Sequence, residues 1–282
     1  GWTLRESGNY RGPSGRELPI WSLDHVAPRA AWRNPELLGR GRSTVPRPEL
    51  AERLQELGEP PVLLIVGPMG TGKSRFVAQT FGRDDPMVWS RPWSPRSSGP
   101  GLAHQLLLGL LRLDESRIDL APERRDTLRR DLERSLWGYE RARGEEMEAL
   151  LEQALEGLGG SESTVLLAVD DAHATGADDR ALLARLAERA AELGSYRLLI
   201  VGRRGGEWQT PWQELPTLEV GPLSEEASIT ACDNLISGLS VPEEARDRFI
   251  AASVGFPFAL EEGLLQLVRG KVLRRVYGNF FF

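Results

Sequence analysis

Short, wholly apolar runs alternate with stretches of helical period along most of this chain, and their order predicts a wound sheet. Leu50, Leu54 and Leu57 recur at helical spacing behind Pro48, and Gly58-Glu59-Pro60 closes that helix. Val62-Leu63-Leu64-Ile65-Val66 is apolar at every position, which is how a strand buried on both faces of a parallel sheet looks. Further strands are expected at Met87-Val88-Trp89, Val165–Val169 and Tyr196–Val201, with Leu218-Glu219-Val220 as a short last one. Between them, Leu102, Leu106, Leu107, Leu110 and Leu111 form a helical apolar face, as do Met147, Leu150, Leu151, Ala154 and Leu155 within the charged span from Asp114 to Gly160. Leu182, Leu183, Leu186, Ala190 and Leu193 form another, ended by Gly194. Alternation of this kind predicts an α/β fold with a three-layer, parallel-sheet core.

Both ends depart from the pattern. Residues 1–36 contain Pro13, Pro19, Pro28 and Pro35 with several glycines and sustain no period, so they read as a linker or extended arm, with Trp2, Trp21 and Trp32 able to anchor it on a neighbouring surface. The core domain is expected over residues 37–215. Beyond it only helical spacing remains: Ile229, Cys232, Leu235 and Ile236, then Phe249, Ile250 and Val254, then Ala259 to Val268. Residues 216–270 therefore read as a small, all-helical lid. A start at Gly1 rather than Met suggests a piece of a longer protein.

The chemistry sits where the first buried strand ends. Gly67-Pro68-Met69-Gly70-Thr71-Gly72-Lys73-Ser74 is a complete G-x-x-x-x-G-K-S phosphate loop. Its glycines permit positive φ, so successive N–H groups form an anion nest, and the following helix adds its positive end. Gly67, Met69, Gly70, Thr71, Gly72, Lys73, Ser74 and Arg75 are the expected nucleotide contacts, with Lys73 on the β- and γ-phosphates and the Ser74 hydroxyl on Mg²⁺. The strand Val165–Val169 ends in Asp170-Asp171, at the carboxyl edge where parallel sheets place ligands. Asp170 suits Mg²⁺ through water. Asp171 is then the candidate to orient or deprotonate an attacking water, the alternative being that it caps the next segment. The arginines trailing Tyr196–Val201 point to the same edge; Arg204 is expected to sense the γ-phosphate, with Arg203 the other candidate.

Composition narrows the setting. The 282 residues carry a net charge of −6 and a pI of about 5.4, which gives no global drive toward nucleic acid or anionic membrane, although a local basic patch stays open. No apolar run approaches the roughly 20 residues of a membrane span, and no signal peptide is visible. The single Cys232 excludes an internal disulfide framework, suits a reducing, cytoplasmic compartment, and falls on an apolar stripe as an inert thiol would. Three scattered histidines give no zinc pattern.

Several motifs in order carry a family resemblance. Leu38-Gly39-Arg40, the phosphate loop, Val169-Asp170-Asp171-Ala172-His173, the strand with its trailing arginine, Val220-Gly221-Pro222-Leu223-Ser224 and Gly255-Phe256-Pro257-Phe258-Ala259-Leu260 resemble the STAND class of AAA-related ATPases over about residues 37–282. The nearest subgroup is that of bacterial transcriptional regulators and sensor or defence proteins. The resemblance implies an ATP/ADP switch with slow, Mg²⁺-dependent hydrolysis, ATP-dependent homo-oligomerisation, and effector and sensor domains fused or bound to it. Leu38, Gly39 and Arg40 would lie on adenine, Pro257 would approach the base or ribose from the lid, and residues 271–282 would begin a winged-helix domain. Ala174 replaces an aromatic common in relatives, and His173 either reports the γ-phosphate to the lid or is a plain hydrogen-bonded loop residue. A DNA-processing AAA+ ATPase of the initiator or loader kind is the alternative; it would recruit Arg269, Arg274 and Arg275. A small-molecule kinase would need an acceptor pocket with its own base and lid arginines, which the sequence does not offer.

Overall fold

The computed structural model describes residues 2–11, 17–25, 45–81, 87–91, 101–110, 126–127, 130, 144–158, 164–235, 239–240, 243–269, 274–276 and 279–281. The first two segments correct the expectation of an extended arm: β1 (Trp2–Arg11) and β2 (Glu17–His25) form an antiparallel hairpin. Their register shifts between Glu6 and Gly8. Such a bulge breaks the alternation by which a strand is recognised, and Pro19 in β2 adds a second interruption.

The core follows the apolar runs. β3 (Val62–Gly67), β4 (Met87–Ser90), β5 (Val165–Val169), β6 (Tyr196–Arg203) and β7 (Thr217–Glu219) make a five-stranded parallel sheet in the order β4-β5-β6-β3-β7. Because side chains alternate across a strand, β3 serves both faces. Val62, Leu64 and Val66 enter a core with Leu102, Leu106, Leu107, Met147, Leu151, Leu182 and Leu186, whereas Leu63 and Ile65 enter another with Leu50, Phe76 and Val77. Three layers result. On one side lie α3 (Leu102–Leu110), α4 (Gly144–Glu156) and α5 (Ala177–Leu193), and on the other α1 (Pro48–Leu57) and α2 (Lys73–Thr80). The predicted strands and these helices are therefore borne out; most of the span from Asp114 to Gly160 lies outside the described residues.

Residues 216–270 hold the three predicted helices, α6 (Glu225–Leu235), α7 (Glu243–Ser253) and α8 (Pro257–Arg269), but they are not all-helical: β7 at their start belongs to the core sheet, and the lid is the helical part beyond it. The fold adds a three-stranded sheet in which β8 (Leu239–Ser240), a two-residue strand inside the lid, pairs with β10 (Asn279–Phe281), and β10 with β9 (Arg274–Val276). Two residues are too few to show a period of two. The expected winged-helix start rests on residues 271–282, of which only β9 and β10 are described. Cys232 is fully buried on the inner face of α6, and burial pushes its thiol up to about 11.

Candidate functional site

Strand order assembles the site. β6 lies between β3 and β5, so the loop leaving β3 and the acidic end of β5 flank the carboxyl end of β6. The loop turns through Gly70 and Gly72, at φ +84° and +86°, where any other residue would be strained. Lys73 opens α2, and its Nζ donates to the carbonyl oxygens of Gly67 at 3.0 Å and Pro68 at 2.7 Å. Burial lowers the pKa of this ammonium. The Ser74 hydroxyl donates to Asp170 Oδ2 at 2.7 Å, joining the start of α2 to the end of β5. Asp170 is 5% exposed and also accepts the backbone N–H of Asp171 at Oδ1, 2.9 Å away. Its burial, followed by the charge of Asp171, raises its pKa. A cation beside this carboxylate would offset both effects.

Asp171 takes a left-handed backbone, φ 56°, and turns its carboxylate to Arg91, which follows β4. Arg91 Nε donates to Asp171 Oδ2 at 2.6 Å and Nη2 donates to the same oxygen. His173 Nδ1 lies 3.9 Å from Asp171 Oδ1, and the imidazole stands edge-on to Trp208 with ring centroids 6.4 Å apart. Burial lowers the pKa of His173. The two trailing arginines separate. Arg203 Nη2 is 3.4 Å from Met69 Sδ on the loop, and its charge helps depress the pKa values of both Lys73 and His173. Arg204 instead donates from Nη1 to Glu219 Oε1 on β7, at 2.5 Å.

The lid meets the loop directly. The backbone N–H of Phe258, in the first turn of α8, donates to the Gly70 carbonyl at 3.2 Å. Between lid, α2 and the segment before α1 lies a cavity of about 280 Å³. Thr71, Gly72 and Arg75 line its phosphate-loop end, Val45, Pro46 and Arg47 one wall, and Leu223, Asn234, Leu235, Pro257 and Leu260 the lid side. Walls that are mostly apolar with a few polar groups suit a flat heterocycle. Arg75 and Glu261 pair across the cavity at 3.6 Å, and the Nδ2 of Asn234 is buried with no hydrogen-bond partner.

Gly67, Met69, Gly70, Thr71, Gly72, Lys73, Ser74, Arg75, Asp170, Asp171 and Pro257 thus gather around one loop and one cavity, while Leu38, Gly39 and Arg40 lie outside the described residues. Sequence reasoning passed over three contributors: Arg91, Arg47 and Trp208. Arg91 carried the signal that flagged Arg204 and Arg203, a basic residue at the carboxyl end of a predicted strand; Arg47 and Trp208 carried none.

The AAA ATPase domain family matches residues 38–201, more than half of the 282 residues and including both the loop and the acidic strand. The chain belongs to the AAA ATPase family. No curated protein matches this AAA chain significantly. Among solved structures it is similar to a signal transduction ATPase with numerous domains (STAND) from Pyrococcus horikoshii that carries a tetratricopeptide repeat sensor, at 16% identity and TM-score 0.46 over 79% of this chain and 30% of that one. It is also similar to Cdc6p from Pyrobaculum aerophilum, at 13% identity and TM-score 0.45 over 82% and 65% of the two chains. Domain III of the replication initiation protein DnaA from Thermotoga maritima aligns at 15% identity and TM-score 0.45, over 84% and 86%. This chain therefore spans less than a third of the Pyrococcus protein's length. Among the described residues no helix is long and apolar enough to cross a membrane.

Proposed function

We propose that this AAA chain is a nucleotide-gated switch of the STAND kind, which binds ATP and ADP, hydrolyses ATP slowly, and thereby controls its own assembly and an attached effector. One observation carries the proposal: Phe258 of the lid bonds to Gly70 of the phosphate loop, so any rearrangement of the loop around phosphate is felt where α8 begins. The loop N–H groups and Lys73 bind the phosphates. Ser74 and Asp170, two hard oxygen donors 2.7 Å apart, would hold Mg²⁺ and supply it with charge. Among the described residues no group of three or more His, Cys, Asp or Glu side chains could hold an ion. Bound Mg²⁺ would offset the charge of the phosphates. Asp171 orients or deprotonates water, with Arg91 fixing its carboxylate, and Arg203 rather than Arg204 takes the γ-phosphate, because it lies on the loop side of the strand end.

Size-exclusion chromatography with light scattering in Mg²⁺ with ADP, ATP or a non-hydrolysable ATP analogue tests this. Assembly only in the ATP state is expected, and Lys73→Ala should abolish it by weakening nucleotide binding about 100-fold, the worth of one or two charge-assisted hydrogen bonds. A monomer in every state with fast multiple turnover would remove the switch. Assembly indifferent to nucleotide, with salt-sensitive DNA binding, would place the chain with the DNA-processing ATPases instead.

A further inference from the structure

We infer that Arg47 is a positioning residue that ties the phosphate loop to the hinge of the lid, so that nucleotide in the loop sets the lid through one guanidinium. The inference rests on the nucleotide reading above and adds the route by which it acts. Arg47 immediately precedes α1, and its side chain is 10% exposed. Its Nη1 donates to the carbonyl of Thr71 in the loop at 3.2 Å. Its Nη2 donates to the carbonyls of Gly221 at 2.8 Å and Pro222 at 3.1 Å. Nε is taken by Glu49 at 3.1 Å.

The position of these acceptors makes the contact a hinge contact. The last residue of the sheet edge, Val220, still bonds to Val66 of β3, and α6 begins at Glu225, so Gly221 and Pro222 are the first residues free of the sheet on the way into the lid. The lid grips the same few residues from its far end. Leu223 N–H donates to the Gly255 carbonyl at 2.7 Å, and a Cβ on Gly255 would stand 2.5 Å from the Leu223 carbonyl oxygen, so only glycine fits there, at φ +76°. Thr71 is itself fixed: fully buried, with Oγ1 donating to the Pro68 carbonyl at 3.1 Å. A shift of the Thr71 peptide on binding phosphate therefore pulls on a guanidinium whose other bonds end on the hinge. A planar fork of fixed directions can serve these acceptors together, whereas the ammonium of a lysine is a compact point donor on a flexible stem.

The test is hydrogen exchange of the whole chain with and without ATP and Mg²⁺, read separately at the loop, residues 67–74, and at the hinge and first lid helix, residues 221–235. In the wild type both regions should gain protection with nucleotide. In Arg47→Ala, with ATP raised until the loop is saturated, the loop should still gain protection while the gain at the hinge and α6 falls at least fivefold; loss of the loop gain at every ATP concentration would overturn the inference, because Arg47 would then act in binding. Arg47→Lys should behave like Arg47→Ala although it keeps the charge, and it provides the test if the alanine variant fails to fold. Glu49→Gln should leave the lid gain in place. A lid gain of wild-type size in Arg47→Lys would overturn the inference while leaving the nucleotide switch standing. No nucleotide-dependent protection at the wild-type loop would overturn the switch, and this inference with it.

Discussion

The sheet and the lid are built from the same residue types but not to the same degree. β3, β5 and β6 are packed on both faces, and their two cores take in residues from every neighbouring layer. Among the described residues the lid's own core has Ala231, Cys232 and Leu260 as its buried members, with Val45, Leu223, Leu235, Phe249 and Ile250 only partly buried against them. Of the large apolar side chains exposed among the described residues, Ile229, Val254 and Phe258 belong to the lid, and the remaining one, Met69, lies on the loop it faces. A unit with few buried contacts opens at lower free energy than the sheet it rests on. On the switch reading, the difference would separate a rigid platform, which fixes Lys73, Ser74 and Asp170, from a loosely held part whose position nucleotide would change.

Matched truncations test that contrast and carry the largest expected effect. Leu199 in β6 and Leu260 in α8 are both fully buried. Leu199→Ala should lower the global unfolding free energy by about 3 kcal/mol, the usual cost of emptying a leucine site in a packed core. Leu260→Ala removes the same atoms from a unit that opens by itself, so its global loss should stay below about 1 kcal/mol while amide exchange across 225–269 accelerates. Urea denaturation with hydrogen exchange reads both. Equal global losses would mean that lid and sheet unfold as one body, and the contrast would fail.

The same division explains what could be read from the residues beforehand. Platform elements were legible because β3 and β5 are unbroken apolar runs, because α1 and α5 keep apolar residues at helical spacing, and because phosphate chemistry demands fixed residue types at fixed spacing in the loop. The N-terminal hairpin was not, since a bulge between Glu6 and Gly8 breaks its alternation. Nor was the work of Arg47, which bonds to backbone carbonyls 24, 174 and 175 residues away; carbonyls leave no mark in a sequence. Between Arg203 and Arg204 the sequence offers equal chemistry. Arg203 ends β6 and Arg204 lies just beyond it, and only the packed sheet shows that the first meets Met69 of the loop and the second Glu219 of β7.

That choice gives a smaller, sharper test. If the platform edge reads the γ-phosphate, Arg203→Ala should reduce the preference for ATP over ADP about tenfold, the worth of one charge-assisted hydrogen bond, and Arg204→Ala should change it less than about twofold. Competition titrations against a fluorescent ADP measure the ratio. The reverse result would return the role to Arg204 and require its bond to Glu219 to break on binding.

The smallest effect concerns pH and belongs to the platform alone. His173 is held below its ordinary value of 6.5 chiefly by burial; Asp171 opposes the shift, and the charges of Arg203, Lys73 and Arg91 add to it. Its stabilising contribution is thus complete above pH 6.5 and is lost as pH falls from there through the folded value, because the unfolded chain takes up the proton first. His173→Asn should flatten the decline in melting temperature between pH 6.5 and 5. The exchange rates of α6 and α8 should keep the same pH dependence in both proteins. Should those lid helices respond instead, His173 would be coupled across the loop to the lid, and its edge-on contact with Trp208 would be part of that coupling rather than packing at the end of the sheet.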